Sequence, residues 1–172
     1  MPRYTRRKAM QVIGGIGAVG AIGTGTAAAR RGGASDADVF APLSHGESEQ
    51  SPDRSGSTGL VTFSETDHGT LEFELTARNV EGVTQVHIHE APRGEIGGVV
   101  AFLALFNTEV DGSGDGEPED GPINETGEID DDDFLDDTLV ADILDEPGDY
   151  YVNLHTVANP AGEIRGQLRH GR

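Results

Sequence analysis

The sequence predicts an all-β fold: an antiparallel β-sandwich of Greek-key-like topology, with one long acidic insertion loop and a short helix. The first observation behind this prediction is that apolar residues recur at every second position in several short segments, as in strands with one buried face. The second is that turn-forming residues separate these segments at short intervals. The chain has 172 residues, enough for one domain of this kind and a further tail or leader.

Residues 1–29 have the pattern of an export signal peptide. Basic residues, including the pair Arg6 and Arg7, precede an apolar, glycine-rich run that begins at Val12, and three alanines up to Ala29 offer a small-residue cleavage site. The arginine pair favours the twin-arginine export route. The alternative is an uncleaved membrane anchor, although the run is short and weakly apolar for a membrane span.

Residues 30–58 are rich in glycine, serine, aspartate, proline and glutamate without periodicity, and we interpret them as a flexible linker. The domain is expected over residues 59–170. It opens with two segments that carry apolar residues at alternate positions, LVTFSET at 60–66 and TLEFELTARNV at 70–80. The short polar sequence around Gly69 joins them, which predicts a β-hairpin.

Four more segments are predicted as strands of the same sheet, with a turn between the last two. VTQVHIHE at 83–90 alternates, whereas GGVVAFLALF at 97–106 is a continuous apolar run and predicts a buried strand. DYYVNLHT at 149–156 and GEIRGQLRH at 162–170 are the last two strands. VANPAG between them contains Asn-Pro and Ala-Gly, which predict a tight turn.

The segment 107–137 breaks the strand pattern and is interpreted, in its first part, as the long acidic insertion loop. Asp111, Ser113 and Asp115 alternate there as at the opening of a calcium loop, but Pro122 stands at the twelfth position, where such a loop needs a glutamate. A solvated loop is therefore favoured over a calcium site. The sequence DFLDDTLVADIL, at the end of the segment, has apolar residues near helical spacing and predicts the short helix.

The charge of the chain excludes several classes of partner. Its formal net charge is -19, from 31 acidic and 12 basic residues, and Lys8 is the one lysine in the sequence. Phosphates would be repelled, so neither nucleic acid nor an anionic membrane is expected as a partner. Strong acidity with almost no lysine is typical of a protein from a halophile, where salt screens the repulsion. The alternative is an acidic, partly disordered protein.

The histidines of two strands point to a metal site. Because side chains alternate between the faces of a strand, His87 and His89 are out of phase with the apolar residues of 83–90, and His155 is out of phase with those of 149–156. If the two strands pair, three imidazoles converge on one outer face of the sheet. A His-x-His strand with a third histidine is a typical zinc or copper site, which requires ring nitrogens within about 3 to 5 Å of one another.

Two alternatives to this metal site stay open. Histidines on a solvated strand face are common and often bind nothing. Arg165 lies on the polar face of the last strand and would instead make the patch a small-anion site. If metal binds, neutral imidazole is the ligand form, and the affinity is expected to fall as the pH drops through about 6.5.

The segments 85–103 and 149–168 resemble the CHRD domain, which is named after its repeats in the developmental protein chordin. The resemblance covers roughly Gly59 to Leu168, and the acidic insertion between Val110 and about Glu125 departs from it. The residues that carry it are His87, His89, Gly94, Gly97, Tyr151, Val152, Asn153, His155, Thr156, Pro160, Gly162, Glu163, Ile164, Arg165, Gly166 and Gln167. The resemblance implies an all-β, sandwich-like domain of secreted or surface proteins, and no settled activity.

These observations predict an exported CHRD-domain protein of a halophile. The expected function is a non-enzymatic extracellular binding module, with a transition-metal site for zinc or copper at the three histidines and an unidentified extracellular or cell-surface ligand. The alternative is a metalloenzyme with superoxide-dismutase-like or hydrolytic chemistry at the same histidines. The first chemistry is disfavoured because that enzyme class holds two metals and has a disulfide, whereas this chain has too few well-placed histidines and no cysteine. The second needs a general base, for which Glu163 is the nearest candidate in the sequence.

Overall fold

The computed structural model describes residues 37–45, 56–106, 117–129 and 138–171. Within these ranges the strands are β1 (Val39–Ser44), β2 (Thr58–Glu65), β3 (Leu71–Arg78), β4 (Val83–Glu90), β5 (Gly98–Leu105), β6 (Ile123–Ile129), β7 (Tyr150–Thr156), β8 (Ile164–Gln167) and β9 (Arg169–His170). A helix, α1 (Leu139–Asp145), and a 3-10 turn at Pro147–Asp149 lead into β7. No helix in these ranges is long and apolar enough to cross a membrane.

The described strands form one antiparallel sheet in the order β5-β4-β7-β8-β1-β2-β3-β6, and β9 adds a short pairing to β1. The sheet bends so that its two terminal strands, β5 and β6, come into contact. The result is a nearly closed, sandwich-like antiparallel fold. The predicted all-β class is confirmed.

The predicted hairpin is formed by β2 and β3, which pair in register from Thr58 opposite Arg78 to Glu65 opposite Leu71. Every second residue of β3 is buried, and the residues between them are exposed or half-buried, as the sequence pattern predicted. Gly69 adopts a φ of 78° in the turn, a left-handed conformation that glycine takes without the steric cost of a Cβ. The buried side chains of this hairpin form one side of the hydrophobic core.

Strand β1 corrects the prediction of a flexible linker over residues 30–58. Val39, Ala41 and Leu43 are buried on one face of β1, which pairs with β2 over its full length. The strand is short, and Pro42 within it lacks a backbone N–H, a combination that is unfavourable for an internal strand by sequence criteria. The domain therefore begins about twenty residues before the predicted boundary at 59.

Strand β5 is not the buried strand that its apolar run predicted. Among the described strands it pairs with β4 alone, and it lies at one end of the sheet order. Val99 and Phe102 are 43% and 41% exposed. A continuous apolar run does not distinguish a buried strand from an end strand with apolar side chains on both faces.

Part of the predicted acidic insertion is a strand. β6 pairs with β3 from Ile129 opposite Leu71 to Ile123 opposite Ala77, although charged and polar residues occupy most of its positions. The Phe73 ring packs against Gly127, where a side chain would not fit, because a Cβ on residue 127 would lie 2.7 Å from a ring carbon. The predicted short helix is confirmed as α1, which buries Leu139, Val140 and Ile143.

Several predictions fall on residues outside the described ranges. They are the signal peptide at 1–29, most of the linker, the acidic loop at 107–116 and the calcium-like alternation of Asp111, Ser113 and Asp115. They stay predictions.

Candidate metal centre

The three histidines that the sequence selects meet on two neighbouring strands. β4 pairs with β7 in a register that places His87 opposite Asn153 and His89 opposite Tyr151. His155 lies two residues beyond Asn153 on the same face of β7. Centroids of the three imidazole rings are 4.9, 5.7 and 5.9 Å apart, and one ring nitrogen of each lies within 4.8 Å of the others. The predicted convergence of this histidine cluster is confirmed, whereas metal binding by it stays a prediction.

The histidine cluster is buried, which corrects the prediction that it lies on an outer face of the sheet. His87, His89 and His155 are 4%, 8% and 6% exposed. The loop at 91–97, between β4 and β5, and the turn at 157–162, between β7 and β8, contact this face through hydrogen bonds. Alternation of residues identifies the face that points away from the core, but it does not show that a loop folds over that face.

Arg165 of β8 holds the loop 91–97 over the histidine face. Its guanidinium group stacks on the Tyr151 ring, 3.4 Å from the ring centroid. It also donates hydrogen bonds to the carbonyl oxygens of Glu95 at 2.7 Å and Pro92 at 3.5 Å. The small-anion site that was the alternative at Arg165 therefore loses support, because these donors already bind loop carbonyls.

Gln167 fixes the start of the same loop. Its side-chain amide nitrogen lies 2.9 Å from the carbonyl oxygen of Ala91 and 2.8 Å from that of Tyr150. The amide thus ties the first residue of the loop to the first residue of β7. The loop and the strands beneath it form one hydrogen-bonded unit.

His89 and His155 are each fixed in one tautomer. Their Nδ1 atoms lie 3.1 Å from the carbonyl oxygen of Gly97 and 3.0 Å from that of Pro160, respectively. A carbonyl oxygen only accepts hydrogen bonds, so each Nδ1 carries the proton and each Nε2 carries a lone pair. Both Nε2 atoms are buried without a hydrogen-bond partner among the described residues. Metal-binding histidines typically donate their other N–H to a carbonyl in this way.

His87 is the least exposed of the three, and neither of its ring nitrogens has a hydrogen-bond partner within the described ranges. Burial, with smaller contributions from neighbouring His155 and His89, lowers the pKa of His87 to about 3. Burial also lowers the pKa values of His89 and His155, although their hydrogen bonds to backbone carbonyls oppose this shift. Since all three pKa values are lowered, proton competition with a metal is expected to begin below the pH of 6.5 that the sequence suggested.

Apolar side chains border the histidine cluster on the side of β5. The cross-strand partners of His89 and His87 on this strand are Val99 and Phe102. The Phe102 ring contacts the His87 ring edge-on, with 4.4 Å between centroids. Ile96, in the covering loop, is 73% exposed. The cluster is therefore closed by the loop on the side of β8 and bordered by partly exposed apolar groups on the side of β5.

Glu163, the candidate general base, belongs to a second buried polar group, which we call the glutamate cluster (Ser57, Thr156, Asn159 and Glu163). Its carboxylate accepts hydrogen bonds from Ser57 Oγ at 3.0 Å, from Thr156 Oγ1 at 3.5 Å and from Asn159 Nδ2. These four residues line an open groove of about 950 Å³. The structure does not place Glu163 in the histidine cluster.

The aromatic support of the cluster was not predicted from the sequence. The ring of Tyr151 stacks on His89, with 4.8 Å between centroids and planes 6° apart. Tyr151 thus lies between His89 and Arg165. The sequence held one indication of this arrangement, because Tyr151 and His155 share a face of β7. Arg165 lies on the strand paired with β7, but the alternation of apolar and polar residues does not show which strands pair.

The donors of the histidine cluster suit a borderline transition metal. Three neutral imidazole nitrogens are typical ligands of zinc and copper, and three protein ligands leave a further position for water or another group. The buried, unpartnered lone pairs at His89 Nε2 and His155 Nε2 fit such an ion, as does the unpartnered ring of His87. No other group of three potential metal ligands occurs in the part of the chain that the structure describes.

Comparisons with known proteins identify one family for this chain. Neither the curated proteins nor the solved structures gave a significant match to the chain. The CHRD domain family matches residues 39–168, from the first residue of β1 to the residue after β8, and this range is well over half of the 172-residue chain. The matched range includes all three histidines, the covering loop 91–97, and Arg165 and Gln167 of β8. The chain therefore belongs to the CHRD family.

Proposed function

We propose that this CHRD domain is a non-enzymatic extracellular binding module that holds one divalent transition metal, zinc or copper, at His87, His89 and His155. The observation that carries the proposal is a cluster in which one ring nitrogen of each histidine lies within 4.8 Å of the others, and in which every ring has a buried nitrogen without a hydrogen-bond partner among the described residues. A buried polar atom without a partner costs about 1–3 kcal/mol. A bound metal offsets this cost at all three rings at once.

The hydrogen bonds around the cluster support a metal over a purely structural role. Gly97 and Pro160 fix the protons of His89 and His155 on Nδ1, so that both Nε2 lone pairs are available for an ion. A structural histidine pair would instead use these nitrogens in hydrogen bonds to each other or to neighbours. The carbonyl bonds orient the rings without any ion, which reduces the entropy that a metal must overcome on binding.

The surroundings of the cluster favour binding over catalysis. Hydrolytic chemistry at a metal needs a general base, and Glu163 accepts hydrogen bonds from three side chains of the glutamate cluster instead. The histidine face is covered by the loop 91–97, which Arg165 holds down. A covered ion with rigid ligands suits a structural or ligand-binding role of the domain.

We further infer that the protein is exported and acts at or outside the cell surface of a halophile. CHRD domains are typically extracellular. The basic residues and apolar run of the first 29 residues are typical of an export signal, and the net charge of -19 is typical of halophilic surfaces. The same charge argues against nucleic acid and anionic membranes as ligands, so we expect an extracellular or cell-surface partner of another chemistry.

The proposal is tested by metal binding to the full chain, purified without a polyhistidine tag. Zinc and copper are titrated against a competing chelator, and X-ray absorption at the zinc edge reports the ligands. The expected result is one ion per chain with three imidazole nitrogens at about 2.0 to 2.1 Å for zinc. Fewer than half an equivalent bound, or a first shell dominated by oxygen, refutes the site.

Two variants distinguish this site from non-specific binding to the acidic surface. His155→Ala removes one ligand and is expected to abolish stoichiometric binding. His68→Ala changes an exposed histidine in the turn between β2 and β3 and is expected to leave binding unchanged. Equal affinities of the two variants would show that the ion binds elsewhere.

A further inference from the structure

The outer hydrogen bonds of the histidine cluster are complete at two of its three rings. His89 and His155 donate to Gly97 and Pro160. When one ring nitrogen of His87 binds a metal, the imidazole is neutral and its other nitrogen carries a proton. That N–H has no acceptor within the described part of the chain.

Asn153 presents the matching unpaired group. It is the direct cross-strand partner of His87 in the pairing of β4 with β7. Its side chain is 6% exposed, and no donor from the described residues reaches its Oδ1 atom. Side chains of directly paired residues on one face start about 4.5–5.5 Å apart at their Cβ atoms, a gap that an imidazole and an amide readily bridge.

The orientation of the Asn153 amide is set by the turn that also binds His155. Asn153 Nδ2 donates a hydrogen bond to the carbonyl oxygen of Ala161 at 3.1 Å. Ala161 directly follows Pro160, whose carbonyl oxygen accepts from His155. This bond fixes which branch of the amide is the nitrogen, so Oδ1 is the branch left without a partner. Gly162 leaves the room for this amide, because a Cβ at that position would clash with it.

We propose that Asn153 is the positioning residue of His87: its Oδ1 accepts the ring N–H of His87 when the other ring nitrogen binds the metal. This inference rests on the proposed metal site. The inference requires that the His87 ring turn its N–H toward the Asn153 amide on the neighbouring strand. Each histidine then donates its outer N–H to a carbonyl oxygen. His89 donates to Gly97, His155 to Pro160 and His87 to the Asn153 amide.

The test compares two substitutions at Asn153 in the zinc-loaded full chain. Asn153→Leu keeps the size and removes the acceptor, and it is expected to lower zinc affinity about 10- to 100-fold, the usual loss when the outer partner of a metal-bound histidine is removed. Asn153→Asp keeps an oxygen acceptor but loses the hydrogen bond to Ala161, and it is expected to lose less affinity than Asn153→Leu. Asn124→Leu, at an exposed asparagine of β6, is the control for a loss of amide in general.

Nitrogen-15 NMR of the imidazoles separates positioning from a general structural effect. In the zinc-loaded wild type we expect three ring N–H signals protected from exchange, one for each histidine. In Asn153→Leu the signal of His87 is expected to disappear while those of His89 and His155 persist. If Asn153→Leu fails to fold, Asn153→Ala takes its place in both measurements.

Each result decides the inference. Wild-type affinity in the leucine variant overturns it. Reduced affinity with an unchanged His87 N–H signal also overturns it, and shows that Asn153 acts on the ion or on a water bound to it. A wild type that binds no zinc refutes the proposed function itself, and the inference with it.

Discussion

The histidine cluster and the glutamate cluster are both buried polar groups, and they differ in how their polar atoms are satisfied. Successive residues of β7 contribute to the two clusters, since His155 belongs to the first and Thr156 to the second. The carboxylate of Glu163 accepts from three side chains. In the histidine cluster, four ring nitrogens have no partner among the residues the structure describes.

This difference indicates what each cluster is for. A buried polar group whose hydrogen bonds are complete stabilises one arrangement of the chain and has no capacity left for a ligand. A buried group with unused lone pairs lowers the stability of the free protein, and it is maintained where a ligand uses those lone pairs. The glutamate cluster is therefore expected to determine stability, and the histidine cluster is expected to determine binding.

Substitution of His87 by leucine is expected to give the largest effect and to separate the two properties. Zinc affinity should fall by more than about 100-fold, since loss of a ligand exceeds the 10- to 100-fold loss of an outer partner. The stability of the metal-free protein should be unchanged or higher, because leucine fills the space without unpartnered polar atoms. Chelator competition and urea unfolding in EDTA measure the two quantities.

His68→Gln, in the exposed turn, is the matched control for the His87 variant and should change neither quantity. A large loss of metal-free stability in His87→Leu would contradict the comparison. It would mean that the His87 ring is needed for packing, for example against the Phe102 ring that it contacts.

Substitution of Glu163 by leucine is expected to show the opposite pattern. Thr156 and Asn159 lose their acceptor, whereas the Ser57 hydroxyl keeps the carbonyl oxygen of Asn79 at 2.6 Å. Unfolding in urea should show a loss of about 3 kcal/mol, within the range for two buried donors left unpaired. Zinc affinity of the folded fraction should stay within a factor of about 2. Glu81→Gln changes an exposed carboxylate that lines the same groove and controls for charge. A zinc affinity that falls together with stability would show that the two clusters act as one.

The sequence predicted the strands well where apolar and polar residues alternate regularly, and poorly where they do not. β3, in which each buried residue is followed by an exposed or half-buried one, was correctly assigned. β1 and β6 were missed for physical reasons: β1 contains Pro42, and β6 buries Ile123 and Ile129 but carries glutamates and an asparagine between them. Tertiary pairing supplies what these segments lack in local preference.

The site was predicted in part for a similar reason. Alternation and the resemblance to the CHRD family identified the three histidines, because both depend on residue type at fixed spacing. The cover over them depends on hydrogen bonds from Arg165 and Gln167 to backbone carbonyls, and any residue type supplies a carbonyl. The role of Asn153 depends on which strand pairs with which, and that pairing is set by the whole sheet.

The smallest of the expected effects concerns the metal-free protein at mildly acidic pH. Burial, and to a lesser extent neighbouring His155 and His89, lowers the pKa of His87 from 6.5 to about 3. Between these values the unfolded chain binds a proton that the folded chain does not, so stability is full above pH 6.5 and is lost as the pH falls. At about 1.4 kcal/mol per pKa unit, the loss from this group at pH 5 is about 2 kcal/mol.

The acidic surface obscures this effect in a single measurement, because protonation of carboxylates relieves repulsion as the pH falls. The informative quantity is a difference: urea unfolding at pH 7.5 and pH 5.0, in EDTA and high salt, for the wild type and for His87→Leu. The wild type should lose about 2 kcal/mol more than the variant over this interval. Equal losses would mean that His87 is protonated inside the folded protein near pH 5. Its surroundings, including the two other imidazoles, would then be more hydrated than the structure indicates, and the contrast between the unsatisfied histidine cluster and the satisfied glutamate cluster would not hold.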